Sequence, residues 1–296
     1  MKALFVNSEN SVRSGWKVLG YFLVTGLFAV GLIFLRRLLP DAARPFVPEP
    51  LLAFLGAWVA SWLCVRLERT SSLAHVFGLG GRSGRELSLG LAAGAVAVGL
   101  VAFGVWLLDG FHLGQAPGGA ASELLKGAWV MMAAALFEET VFHGYAFQRA
   151  IKGMGPLWAQ LLFSVIFVLL HPFTPGMEGS VMVLATLNTF LACWVFGYCY
   201  LRTGSLALPV GAHWGWNWAL GSLGFGVSGN ESKGLWVPVF HGKPAWLTGG
   251  DYGLEASVVC LVILVLSLVG LVCWKGSTAR VQPLAPPHVP AAGEVA

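Results

Sequence analysis

The sequence predicts an all-α, polytopic membrane bundle of about eight transmembrane helices, and three observations carry this expectation. Of 296 residues, 56% are hydrophobic and only 11% are charged, whereas soluble domains carry about 25% charged residues. Mean hydropathy is +0.73. Apolar runs of about 20 residues, the length that crosses roughly 30 Å of hydrocarbon, recur along the chain.

The runs fall near residues 16–35, 50–66, 87–108, 124–148, 156–171, 181–201, 205–223 and 255–274. The residues before Lys17 are mixed and polar, and the first apolar run is span-length, so the N-terminus does not read as a cleavable signal. The third run contains Gly90, Gly94, Gly99 and Gly104, small residues that let helices approach closely. Pro156 and Pro209 stand near span starts, where a missing N–H is tolerated. Residues 78–85 form a basic turn, and the proline-rich stretch 276–296 reads as a disordered tail. Cys64, Cys193, Cys199, Cys260 and Cys273 all lie in apolar stretches without a CxxC pair, as small apolar helix residues do.

Charge gives the orientation and excludes one class of partner. With the N-terminus inside, the cytoplasmic segments hold 12 Lys and Arg residues and the opposite segments six, which places both termini in the cytoplasm. The net charge of +4 is spread thinly, so no nucleic-acid partner is expected. The lipid bilayer is the expected surrounding.

Acids in lipid are costly and usually functional. Only Glu138 and Glu139 lie deep within a span; Glu123 and Glu255 are placed at span starts, where a helix N-terminus favours negative charge. His143 shares a helix face with Glu139, and Asn217 shares one with His213. Measured from the turn at 152–156, Glu138 and His171 lie about 21 and 22 Å deep, which brings them level. His213, only about 14 Å beyond Gly204, fits that level less well unless its span begins deeper. Two Glu, two His and an Asn on three spans can activate water for hydrolysis and hold an oxyanion. They can also hold a metal with an open position for water.

Three short motifs then resemble a known family. Glu138-Glu139-Thr140-Val141-Phe142-His143-Gly144 resembles the Glu-Glu-x-x-x-Arg-Gly motif of the CAAX prenyl endopeptidase and bacteriocin-processing superfamily, also called the CPBP or ABI family. Phe167–His171 resembles its Phe-x-x-x-His motif, and His213–Asn217 its His-x-x-x-Asn motif. Gly204–Pro209 and Leu247–Gly250 also look like bacterial members. The core of the resemblance covers residues 120–222, within a peptidase domain of 16–275 preceded by a cytoplasmic segment, 1–15.

The resemblance implies an eight-helix membrane protease of the bacterial inner membrane acting on a membrane-associated peptide or protein. It implies catalytic roles for Glu138 and His171 in activating water, and for His213 and Asn217 in holding the oxyanion. Glu139 and His143 are implied as supporting residues. These residues leave zinc, on Glu138, His171 and His213, and a metal-free water both open. One departure is the family arginine, which is His143 here; it can serve Glu139 only when protonated or as a single donor. Two alternatives remain at this stage: an inactive scaffold or bacteriocin-immunity-type member of the same family, and a proton-coupled transporter with the Glu138–Glu139 pair as its relay.

Overall fold

The structure is a computed structural model and describes residues 5–7, 11–68, 72–116, 120–171 and 177–276. The tail expected from 276 onward lies, apart from its first residue, outside the described residues. The chain is mostly helical: α1 (Ser14–Arg36), α2 (Glu49–Leu67), the single turn α3 (Leu73–Val76), α4 (Ser83–Leu107), α5 (Ala120–His143), α6 (Tyr145–Met154), α7 (Pro156–Leu170), α8 (Gly179–Thr203), α9 (Ala207–Ser222), the single turn α10 (Ala245–Thr248) and α11 (Val258–Cys273). Seven of the eight apolar runs coincide with one helix each, and the run 124–148 with two. By length and composition, four of them, α1, α2, α4 and α8, are long and apolar enough to cross a membrane, while α7 and α11 are shorter apolar helices.

Two expectations about shape are corrected. The run 124–148 is not one helix: it breaks at Gly144, where a Cβ would stand 2.3 Å from the carbonyl oxygen of Thr140, and restarts as α6. An antiparallel two-stranded ladder, β1 (Phe111–Gln115) with β2 (Trp236–Phe240), also joins the helices. Phe111 packs edge-on against Phe225 at 4.9 Å. The turn before β1 is held by Asp109, which His241 and then Lys243 bond. That hydrogen bond from His241, with Lys243 beside it, keeps the Asp109 carboxyl below its usual range.

The contact between α4 and α9 places half of the site. Cβ atoms added at Gly90 and Gly94 would stand 2.3 and 2.1 Å from the carbonyl oxygens of Leu208 and Ala212. Reciprocally, Cβ atoms at Gly211 and Gly215 would stand 2.2 and 2.1 Å from those of Leu87 and Leu91. The backbones touch along two turns, as small residues four apart allow. Gly99, by contrast, faces open space, so its expected packing role does not hold. Gly94→Val is expected to push α9 away and lower stability by about 1–3 kcal/mol, the range for overpacking; a thermal-unfolding midpoint equal to that of Gly99→Val would contradict this.

The start of α9 accounts for the depth of His213. Ser205, Leu206 and Ala207 are all buried, and the Leu206 N–H donates to the Phe77 carbonyl at 2.9 Å. The helix therefore begins inside the protein.

Glu68 ties α1, α2 and α6 together close to the start of α9. It accepts Lys17 Nζ at 3.1 Å, the Tyr145 hydroxyl at 2.6 Å and the Arg149 guanidinium. Arg149 is only 2% exposed, and its guanidinium lies over the Tyr145 ring. Removing one partner of a buried ion pair costs about 3–5 kcal/mol. Glu68→Ala should therefore lower the unfolding midpoint clearly, and Lys17→Ala, which leaves Arg149 paired, by much less. Equal effects would refute the assignment.

Candidate active site

The last turns of α5 carry Glu138, Glu139 and His143. Glu139 is 1% exposed and is fully engaged. Its Oε2 accepts His143 Nδ1–H at 2.6 Å, one helical turn away, and its Oε1 accepts His213 Nδ1–H from α9 at 2.8 Å. One carboxylate thus orients two imidazoles and leaves the Nε2 atom of each pointing away from it. His143 stands at the motif's arginine position and meets Glu139 through Nδ1. Its other ring nitrogen meets Cys193 Sγ at 3.8 Å. The His213 ring stacks on Phe196 with centroids 4.6 Å apart.

Glu138 points the other way. Its side chain is 24% exposed, and Oε2 stands 3.8 Å from His213 Nε2. That is too long for a hydrogen bond. Oε2 is also buried without a hydrogen-bond partner. A buried acceptor left unpaired costs about 1–3 kcal/mol, so this atom is set for a donor that the protein does not itself supply.

His171 follows α7 and is fixed by its Nδ1–H, which donates to the Phe167 carbonyl at 2.7 Å; its ring rests on Phe167. Its Nε2 is left for other work. His171, His213 and Asn217 line one cavity of about 40 Å³, room for a few waters at about 10–15 Å³ each. The six residues singled out in the sequence thus divide into an inner set (Glu139, His143) and a cavity set (His171, His213, Asn217), and Glu138 meets the second set through His213.

Glu255 was missed. The sequence places it as a helix-start acid, but α11 begins at Val258 with Ser257 as its cap. Glu255 instead lines the cavity, where Oε1 accepts Trp216 Nε1–H at 2.9 Å and Oε2 accepts the Ser228 N–H at 2.5 Å. A tight turn delivers it: Gly249 holds φ +82°, and a Cβ there would collide with the Gly253 carbonyl. The Gly-Gly before Glu255 was the one available signal.

The donors for zinc are present in kind but do not converge. Among the described residues no group of three or more His, Cys, Asp or Glu side chains is arranged to hold a metal ion.

A bundle with span-length apolar helices and a buried Glu/His/Asn site between them defines an integral membrane protein with the groups of a hydrolase. Residues 120–219, which carry all three motifs, match the family described as Rce1-like: Type II CAAX prenyl endopeptidase Rce1-like. That is a protease family. No curated protein matches the chain.

Proposed function

We propose that the protein is an intramembrane endopeptidase that hydrolyses a peptide bond in a protein or peptide presented from the bilayer. In this reading all eight apolar helices span a bacterial inner membrane, with both termini in the cytoplasm. The observation that carries it is the buried, unpartnered Glu138 oxygen facing His213 Nε2 across 3.8 Å, inside the segment that matches the protease family.

Glu138 takes a proton from a water held between it and the imidazoles, and the resulting hydroxide attacks the scissile carbonyl carbon. His171, anchored through Nδ1, orients that water with Nε2. Negative charge moves to the carbonyl oxygen, where Asn217 and the Nε2–H of protonated His213 donate to it. Glu139 holds His213 in place through Nδ1 and balances the imidazolium. Glu138 then returns its proton to the departing nitrogen as the carbon–nitrogen bond breaks, leaving a carboxylic acid and an amine. Zinc on Glu138, His171 and His213 is not used by any of these steps.

The test is hydrolysis by the purified protein in detergent and ¹⁸O-labelled water, using a mixture of membrane-derived peptides. One ¹⁸O should enter each newly formed carboxyl group. Intact peptides together with proton uptake by reconstituted vesicles would favour the transporter instead, and intact peptides without uptake the inactive scaffold.

A further inference from the structure

Among the described residues two other than glycine hold a positive φ, Asp109 at +56° and Ser228 at +50°. That backbone is unfavourable for a residue with a side chain and persists only where its surroundings hold it. Asp109 is accounted for by the bonds its carboxylate makes to His241 and Lys243. Ser228 is not. Its N–H and carbonyl are bonded, but among the described residues its hydroxyl meets no hydrogen-bonding group. The residue nevertheless lines the cavity of His171, His213 and Asn217. It is only half-buried, and its unpartnered Oγ keeps accessible surface.

The backbone around Ser228 is fixed by its neighbours. Val227 and Asn230 exchange both N–H···O bonds, each at 2.9 Å. Ser228 and Gly229 are therefore the two central residues of a tight turn, with φ +50° and +73°. Such turns favour Asn, Asp or Gly, and glycine adopts them without steric cost. Glu255 ties the turn to α9: Oε2 accepts the Ser228 N–H at 2.5 Å, and Oε1 accepts Nε1–H of Trp216, the residue before Asn217, at 2.9 Å. The Ser228 carbonyl accepts Asn230 Nδ2–H at 3.2 Å. With both backbone groups engaged, the hydroxyl is the polar group that Ser228 has left to offer the cavity.

We propose that Ser228 is a further substrate-contacting residue, whose hydroxyl holds the substrate main chain beside the bond that is cut; this rests on the peptidase reading above. A hydroxyl donates one hydrogen bond and accepts others, and a peptide group answers it with carbonyl oxygen or N–H whatever its side chain. The cavity, about 40 Å³, admits a group of a few atoms. A peptide unit fits it, and a large side chain does not. The contact forms on binding and persists through the chemical step, so it acts on affinity.

The telling variant is Ser228→Gly, which removes the hydroxyl and suits the turn better than serine does. Its unfolding midpoint in detergent should equal or exceed that of the wild type. Three peptides of unlike sequence that the wild-type full chain cleaves with ¹⁸O uptake are synthesised, and initial rates are measured against concentration. For each, Ser228→Gly should raise KM by about 3–10-fold, the worth of one neutral hydrogen bond. It should leave kcat unchanged, as loss of a contact made equally in the ground and transition states does. Ser228→Ala should raise KM to the same extent, which separates the hydroxyl from the flexibility that glycine brings. Wild-type cleavage with unaltered KM in the variants, or a rise with glycine alone, would overturn this assignment and leave the peptidase reading intact. A rise confined to one peptide would place the contact on a side chain and overturn it equally. If the wild type introduces no ¹⁸O into any peptide, the peptidase reading fails and this assignment falls with it.

Discussion

Glu138→Gln is expected to cut peptide hydrolysis by about 10²–10⁴-fold, the range for losing a general base, while leaving the protein folded. The amide is almost the same size as the carboxylate but cannot take the proton from water. Glu138 makes no hydrogen bond through its buried Oε2, so no hydrogen bond is lost at that atom. The unfolding midpoint should therefore stay within experimental scatter of the wild type. Initial rates at saturating peptide check the first half, and thermal unfolding in the same detergent the second. Turnover near the wild-type value would remove Glu138 from the mechanism.

Glu139→Ala is expected to have the opposite signature, a large loss of stability together with activity. Its carboxylate satisfies buried Nδ1–H groups on both His143 and His213. Removing it orphans two donors at about 1–3 kcal/mol each, roughly 2–6 kcal/mol in total. His213 also loses the contact that aims Nε2 at the cavity, so any protein that survives should be impaired in the chemical step. Unfolding in denaturant gives the stability, and rates per folded molecule give the rest. A Glu139→Ala protein as stable as the wild type would show that the two histidines are held by other contacts.

The contrast between the neighbouring glutamates was partly legible in the sequence. Two acids within one apolar run stand out because lipid tolerates them poorly, and the four-residue spacings paired Glu139 with His143 and Asn217 with His213. Helix periodicity does not reveal that Glu139 serves His143 and His213 at once, because that depends on how α9 lies against α5. The glycines of α4 were readable as packing residues, but which of them meet α9 was not: Gly90 and Gly94 do, and Gly99 does not.

Other features were hidden for identifiable reasons. Glu68 reads as a span-end acid, yet its partners Lys17, Tyr145 and Arg149 are distant in sequence and meet it only after α1 and α6 have packed. Glu255, two residues before the Ser257 cap, is indistinguishable by position from an acid at a helix N-terminus. Its partner Trp216 lies 39 residues earlier. The break at Gly144 leaves the apolar pattern uninterrupted, so an average over a window runs straight through it. Local patterns gave the helices, whereas contacts among distant residues decided the site.

The central claim is that Glu138 activates water for cleavage of membrane-presented chains. Its most direct measurement is quantitative comparison of peptide termini in membranes from cells making the wild-type protein and from cells making Glu138→Ala at equal abundance. A defined set of new termini should appear with the wild type and be absent with the variant, with the matching uncleaved proteins accumulating in the variant membranes. Identical sets of termini in the two membranes, with both proteins folded and inserted, would contradict it.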